Sequence, residues 1–133
     1  MNQLSKMLET NSEEFILLLK DKKMAKIVQF WIDNCKNYHN YHSPILIQLL
    51  LLVGDKNEYW KDKKPYFGDS YSITNEKGIE IFDLLMDFNH NLNDTDYYGD
   101  TFQDKIYLYE KGEYIRKNNL EFINHVKKKL GYK

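Results

Sequence analysis

The sequence predicts an all-α fold: one domain over residues 1–133, about six helices in three stacked pairs, with an irregular, aromatic-rich insertion in the middle pair. Apolar residues recur at helical spacing in segment after segment. Helix-starting and helix-ending residues punctuate those segments. Three segments also look alike: Ala25-Lys26-Ile27-Val28, Ile79-Glu80-Ile81-Phe82 and Leu120-Glu121-Phe122-Ile123. A chain of 133 residues has room for one hydrophobic core and little more. The expected units are about 10–42, 43–94 with an insertion at 55–77, and 95–133.

Thr10 followed by Glu13 fits a capping box, so the first helix is expected to start there and run through Phe15-Ile16-Leu17-Leu18-Leu19 to Asp21. The second carries Met24, Ile27, Val28, Trp31, Ile32 and Cys35, the spacing of one buried stripe. Residues 37–42 read as a loop. Ser43 as N-cap and Pro44 as first helical residue then open a third helix through Ile45 to Val53, closed by Gly54. Residues 55–77 are too aromatic for a disordered linker and read as an ordered insertion. A fourth helix is expected after Gly78, with Ile81, Leu84, Leu85 and Phe88 on one face. Asp96-Tyr97-Tyr98-Gly99 has a glycine where a tight turn needs positive φ, and Thr101 can cap a fifth helix. The extent of that helix is open, because Ile106 to Tyr109 could also begin a strand. A last helix from about Asn119 carries Leu120, Ile123, Val126 and Leu130, with Lys127 to Lys129 at its negative dipole end.

The stretch Gly78 to Phe102 resembles an ankyrin repeat. Ile79 to Asp87 stands for the outer helix, Asn93 for the loop asparagine, and Asp96, Gly99 and Thr101 for the turn that starts the next unit. Ser43-Pro44-Ile45 resembles a degenerate Thr-Pro-Leu, without the histidine and alanine that usually follow. The intervals from Ile27 to Ile81 and from Ile81 to Phe122 both exceed the roughly 33-residue ankyrin period. Insertions within 55–77 and 109–118 are therefore required. The resemblance spans residues 12–130, closest over 78–102, and implies an ankyrin-like helix-pair solenoid that binds a protein through its loops and concave helix surface. One helix pair cannot bury its own apolar face, so about three units are the minimum for a continuous core.

Composition narrows the classes of function. Nineteen Lys and Arg against 20 Asp and Glu give a formal charge of −1, too little to hold a polyanion. Arg116 is the single arginine, which further weakens a nucleic-acid reading, since base and phosphate recognition favours the guanidinium fork. The one cysteine excludes an intramolecular disulfide and fits a reducing, cytoplasmic setting. No signal-peptide pattern is visible at the N-terminus, and the apolar run Ile45 to Val53 is well short of the roughly 20 residues a membrane span needs.

Motifs for chemistry are sparse. Cys35, His39 and His42 have metal-ligand spacing if one helix runs through all three, but Asn37, Asn40 and Pro44 oppose that helix and a fourth ligand is missing. Asp94-x-Asp96 fails as a calcium loop, because position five is Tyr98 and position twelve is Lys105. No phosphate loop, nucleophile elbow or zincin motif occurs. The expectation is no enzyme, no cofactor and no metal. Eleven tyrosines exceed what a core of this size can satisfy, so several belong at the surface, where tyrosine serves as a rigid interface anchor. The expected partner-binding residues are Tyr38, His39, Tyr41, His42, Trp60, Tyr66, Tyr71, Tyr97, Tyr98 and Asp100. The reading is a protein-interaction module that occludes a protein partner, in an immunity, inhibitor or effector role. Alternatives are a small metal protein or metal-dependent enzyme using Cys35, His39 and His42, and a Lys- and Tyr-rich surface stacking on single-stranded nucleic acid.

Overall fold

The computed structural model describes residues 3–38, 41–55, 73–111 and 118–133. The sequence-based expectations for the insertion interior, 56–72, and for 112–117 lie outside the described residues. The elements in order are α1 (Gln3–Thr10), α2 (Ser12–Lys20), a 3-10 turn (Lys22–Met24) running into α3 (Ala25–Asp33), β1 (Asn37–Tyr38), β2 (Tyr41–His42), α4 (Ile45–Leu52), α5 (Asn75–Leu85), α6 (Phe102–Glu110) and α7 (Leu120–Leu130). The fold is all-α. Among the described residues, the only strands are the hairpin β1–β2, which pairs Asn37 with His42 and Tyr38 with Tyr41, and one parallel bridge between Val53 and Ile73.

The helix α4 is the centre of the molecule. Ile45, Leu46, Ile47, Gln48, Leu49, Leu50 and Leu52 are all buried, which is why its sequence is apolar on every side. It packs against α1, α5 and α6, while α2 packs against α1, α3 and α5, and α7 against α5 and α6. Phe82, Phe102 and Phe122 form an aromatic cluster within the core, with Phe82 edge-on to Phe122 at 6.1 Å. Edge-to-face packing adds about 0.5–1.5 kcal/mol to the area such rings bury.

Several helix starts differ from the sequence-based expectation. An unforeseen α1 runs through Thr10, whose hydroxyl donates to the Lys6 carbonyl at 2.7 Å and so cannot cap α2. Asn11 is the cap: its side-chain oxygen accepts the Glu14 amide and its Nδ2 donates to the Glu14 carboxylate at 3.0 Å. At α4, Pro44 with ψ 155 is the N-cap and Ile45 the first helical residue, while Ser43 is buried and caps nothing. Instead the Gln48 amide reaches back, Nε2 donating to the carbonyls of Ser43 at 2.7 Å and Cys35 at 3.1 Å. That links the chain after α3 to the start of α4. The α3 stripe is narrower than expected, with Val28, Ile32 and Cys35 buried but Ile27 46% exposed.

Thr74 caps α5, its hydroxyl accepting the Lys77 amide, so this helix starts ahead of Gly78. Gly78 lies against α7 and the end of α4: a Cβ there would meet Val53 Cγ2 at 2.6 Å and Phe122 at 3.2 Å. Its role is close packing. The two ends of the segment between α4 and α5 lie side by side, with the Gly54 amide on the Ile73 carbonyl at 2.8 Å and the Ile73 amide on the Leu52 carbonyl at 3.2 Å. Residues 102–110 are helical, settling the helix-or-strand ambiguity there, and Thr101 with Asp104 closes a reciprocal capping box. Gly131, at φ 72, terminates α7.

Candidate functional site: an aromatic groove beside the hairpin

The site is built on the turn at 96–100. The Asp96 carbonyl accepts the Gly99 amide at 3.0 Å, while its side-chain Oδ1 accepts the amides of Tyr98 at 2.9 Å and Asp100 at 3.0 Å. Gly99 sits at φ 84, where a side chain would be strained. The Tyr97 amide donates to the His42 carbonyl at 2.7 Å, fixing this turn beside the hairpin β1–β2. Five consecutive residues are thereby held by backbone and carboxylate, and their side chains are displayed on a rigid frame.

From the first turn of α6, Lys105 rises into the same frame. Its Nζ is 3.2 Å from a carboxylate oxygen of Asp96 and 3.2 Å from one of Asp100, and it lies over the Tyr98 ring, 5.1 Å from the centroid. Burial alone would push this ammonium's pKa down, but the two carboxylates outweigh it and hold the value above that of an ordinary lysine. Asp94 pairs separately with Lys36 at 3.2 Å and His42 at 3.5 Å. Burial would raise the Asp94 pKa, yet these two partners bring it below the usual carboxylate value. Asp94 and Asp96 thus have different partners.

Around this frame the tyrosines form a chain. Tyr41 meets Tyr97 edge-on at 5.1 Å, and Tyr97 meets Tyr98 edge-on at 5.3 Å. All three are exposed large side chains, at 52%, 63% and 73%. Beside them opens a groove of about 640 Å³ between the hairpin, the turn, α4 and α6, lined also by Ser43, Leu51 and Tyr109. That volume lies within the range of ligand-sized sites.

Of the ten expected site residues, Tyr41, His42, Tyr97, Tyr98 and Asp100 come together on this groove. Tyr38 is placed in β1 by its backbone. His39, Trp60, Tyr66 and Tyr71 lie outside the described residues. Sequence reasoning missed Ser43, Leu51, Asp96, Lys105 and Tyr109 as members. The signal for Lys105 was available: four residues after the Thr101 cap, it points back toward the turn that precedes its helix. Ser43 carries no such signal, because its burial depends on Pro44 remaining outside the helix.

Of the three residues of the metal alternative, Cys35, His39 and His42, His39 lies outside the described residues. Cys35 is fully buried, its sulfur 3.1 Å from the Ser5 hydroxyl, while His42 faces Asp94. Among the described residues, no group of three His, Cys, Asp or Glu side chains could hold a metal ion. The His42 imidazole Nε2 is directed to Asp94, and the Ser43 hydroxyl has no hydrogen-bond partner among the described residues. A smaller cavity of about 230 Å³ lies beyond, between α3, α4 and the 89–94 loop. His90, on its wall, bonds the Leu85 carbonyl at 2.7 Å, and burial lowers its pKa. No helix among the described residues is long and apolar enough to cross a membrane.

Comparison with known proteins adds no relative: no family model matches the chain, and neither a curated protein nor a solved structure matches it.

Proposed function

We propose that the chain is a protein-binding module that captures and occludes a protein partner through the Tyr41–Tyr97–Tyr98 ledge, without chemistry of its own. The observation that carries this reading is the exposed tyrosine chain on a fixed turn. Interfaces enrich tyrosine because a large, rigid contact surface loses few rotamers on binding, and here the turn beneath the rings is already ordered by seven hydrogen bonds or ion pairs at Asp96, Tyr97 and Asp100. An immunity, inhibitor or effector role suits an occluding binder of this size. The fully buried, disulfide-free Cys35 suits a cytoplasmic setting.

An ankyrin-like stack is the architecture we assign to this module. In support, α1, α4 and α6 contact in succession, as do α2, α5 and α7, and each helix of the first series packs on its counterpart in the second. On this reading the first pair is α1 with α2, in place of the expected pair within 10–42 whose second helix is the one at Ala25, and α3 is an addition leading into the hairpin. The strand pair β1–β2 and the turn at 96–100 then occupy equivalent places ahead of α4 and α6, and the Tyr97–His42 hydrogen bond joins them.

The test is the double variant Tyr97→Ala, Tyr98→Ala. Exposed positions of this kind change stability by about 0.5 kcal/mol or less, so helical circular dichroism and melting temperature should hold while capture of the partner weakens. Loss of the fold would make these tyrosines core residues, and unchanged capture would move the interface elsewhere.

A further inference from the structure

We propose that the groove beside the ledge receives an arginine side chain of the protein partner, its guanidinium held between the Asp100 carboxylate and the tyrosine rings. The inference rests on the binding-module reading and specifies what the partner presents.

Charge is the first argument. Within the groove two carboxylates, Asp96 and Asp100, face a single ammonium, Lys105. Asp96 is nearly spent, with Oδ1 on two backbone amides and Oδ2 on Lys105. Asp100 is not. Only its Oδ2 meets Lys105, its other oxygen accepts from no group among the described residues, and its side chain is 31% exposed at the groove's edge. One negative charge with open lone pairs therefore remains where a ligand can reach it.

The rings supply the second argument. The Tyr98 ring already has the Lys105 ammonium 5.1 Å from its centroid, so this environment accepts a cation over an aromatic face. Tyr41 and Tyr97, both more than half exposed, offer further ring surface. A guanidinium is planar and weakly hydrated and can stack on a ring while its edge bonds a carboxylate, which a compact ammonium does less well.

An unsatisfied group gives the third. Ser43, on the groove's lining, is 5% exposed, and its Oγ has no hydrogen-bond partner among the described residues. Buried hydroxyls are nearly always bonded, so one left open marks a place where a donor is expected. A serine hydroxyl reorients about a single bond, and no internal hydrogen bond restrains this one. A guanidinium has five N–H donors, enough for the Asp100 carboxylate and also for the Ser43 hydroxyl once that buried group turns toward the groove.

The experiment is a titration of the full chain, followed by backbone amide NMR, with Nα-acetyl-arginine methylamide and with its citrulline analogue, which has nearly the same shape and no charge. Saturable millimolar shifts at Tyr98, Gly99 and Asp100 are expected, with the citrulline compound about tenfold weaker, a difference of about 1.4 kcal/mol. Asp100→Asn should weaken the arginine compound by a similar factor. Should Asp100→Asn disturb the fold, Tyr41→Ala, at an exposed ring resting on Tyr97, gives a second readout, with weaker binding expected. Equal binding of the two compounds, shifts confined to another surface, or no saturable shift would overturn the proposal. Arginine binding with unaltered partner capture by the Tyr97, Tyr98 double variant would fault the module reading alone. Lost capture without arginine binding would fault only this inference.

Discussion

The backbone amide of Tyr97 donates to the carbonyl of His42 at 2.7 Å, joining a turn and a hairpin separated by more than fifty residues of chain. Because Asp96 and Gly99 close that turn with their own hydrogen bond, Tyr97 occupies its second position, where the fixed φ of proline is well tolerated. Tyr97→Pro should therefore preserve the turn and delete only the link to His42. We expect it to be about 1 kcal/mol less stable than Tyr97→Ala in urea unfolding. Equal stability of the two variants would mean that the link contributes nothing.

Lys105 closes the turn from below, and its removal leaves the nearly buried Asp96 carboxylate without its cation. Lys105→Met should cost about 1–3 kcal/mol, since two charge-assisted bonds go while both backbone amides stay on Asp96. The folded-state pKa of Lys105 is raised above the unfolded value. Its contribution is thus complete below about pH 10.4 and disappears as pH climbs through the higher folded value. Wild type and Lys105→Met should accordingly converge in stability at strongly alkaline pH. A gap that persisted there would assign the loss to packing of the aliphatic stem.

Asp94 shows the opposite sign. Its folded pKa lies below the ordinary carboxylate value because Lys36 and His42 outweigh the opposing effect of burial. The stabilisation is present above about pH 4 and is lost as pH falls through the depressed folded value. For a pair this exposed, about 0.2–1 kcal/mol is expected. Asp94→Asn should trail wild type by that amount at neutral pH and match it near pH 2. A gap at neutral pH unaffected by acid would exclude the ion pairs as its cause.

How far the sequence speaks for itself depends on whether a signal is local. The turn at Asp96 to Gly99, the Thr101 cap and the last helix are legible because each needs only a few neighbouring residues of particular types. By contrast α1 is hidden: Leu4 and Leu8 alone make its buried apolar stripe, and it is held by packing on α2 and α4. Ile27 looks as apolar as Val28, and only the placement of α3 at the edge leaves it exposed. The groove divides in the same way. Its tyrosines stand out by composition, whereas Ser43 and Lys105 join them through chain segments brought together in space.

Gly78 is a strict test of packing against propensity. Alanine would favour helix α5 by up to about 1 kcal/mol, but its Cβ would lie 2.6 Å from Val53 Cγ2, 3.1 Å from Val53 Cγ1 and 3.2 Å from Phe122. Overpacking of this kind typically costs about 1–3 kcal/mol, so Gly78→Ala should be destabilised on balance. Introduced into a Val53→Ala background, the same change should cost less or become favourable, since both clashing methyls are gone. Additive effects in the double variant would show that the two residues do not meet.

Asn75 holds the entry to α5 against α7. Its Nδ2 donates to the Asn118 carbonyl at 2.7 Å, its Oδ1 accepts the Phe122 amide at 2.9 Å, and its own amide donates to Asp55 Oδ1 at 3.0 Å. Asn118 in turn donates to the Asp55 carbonyl at 2.8 Å, so three segments meet around one buried side chain. Asn75→Ala would leave the Phe122 amide and one acceptor site of the Asn118 carbonyl unfilled, at about 1–3 kcal/mol for each buried group without a partner. Asn75→Asp keeps the acceptor for Phe122 but sets a carboxylate oxygen against the Asn118 carbonyl. It should therefore be destabilised at neutral pH and regain stability once acid restores an O–H donor, whereas Asn75→Ala gains nothing from acid relative to wild type. Urea unfolding of both variants across that pH range separates the two cases, and parallel pH profiles would place the Asn118 contact outside the folded state's hydrogen bonding.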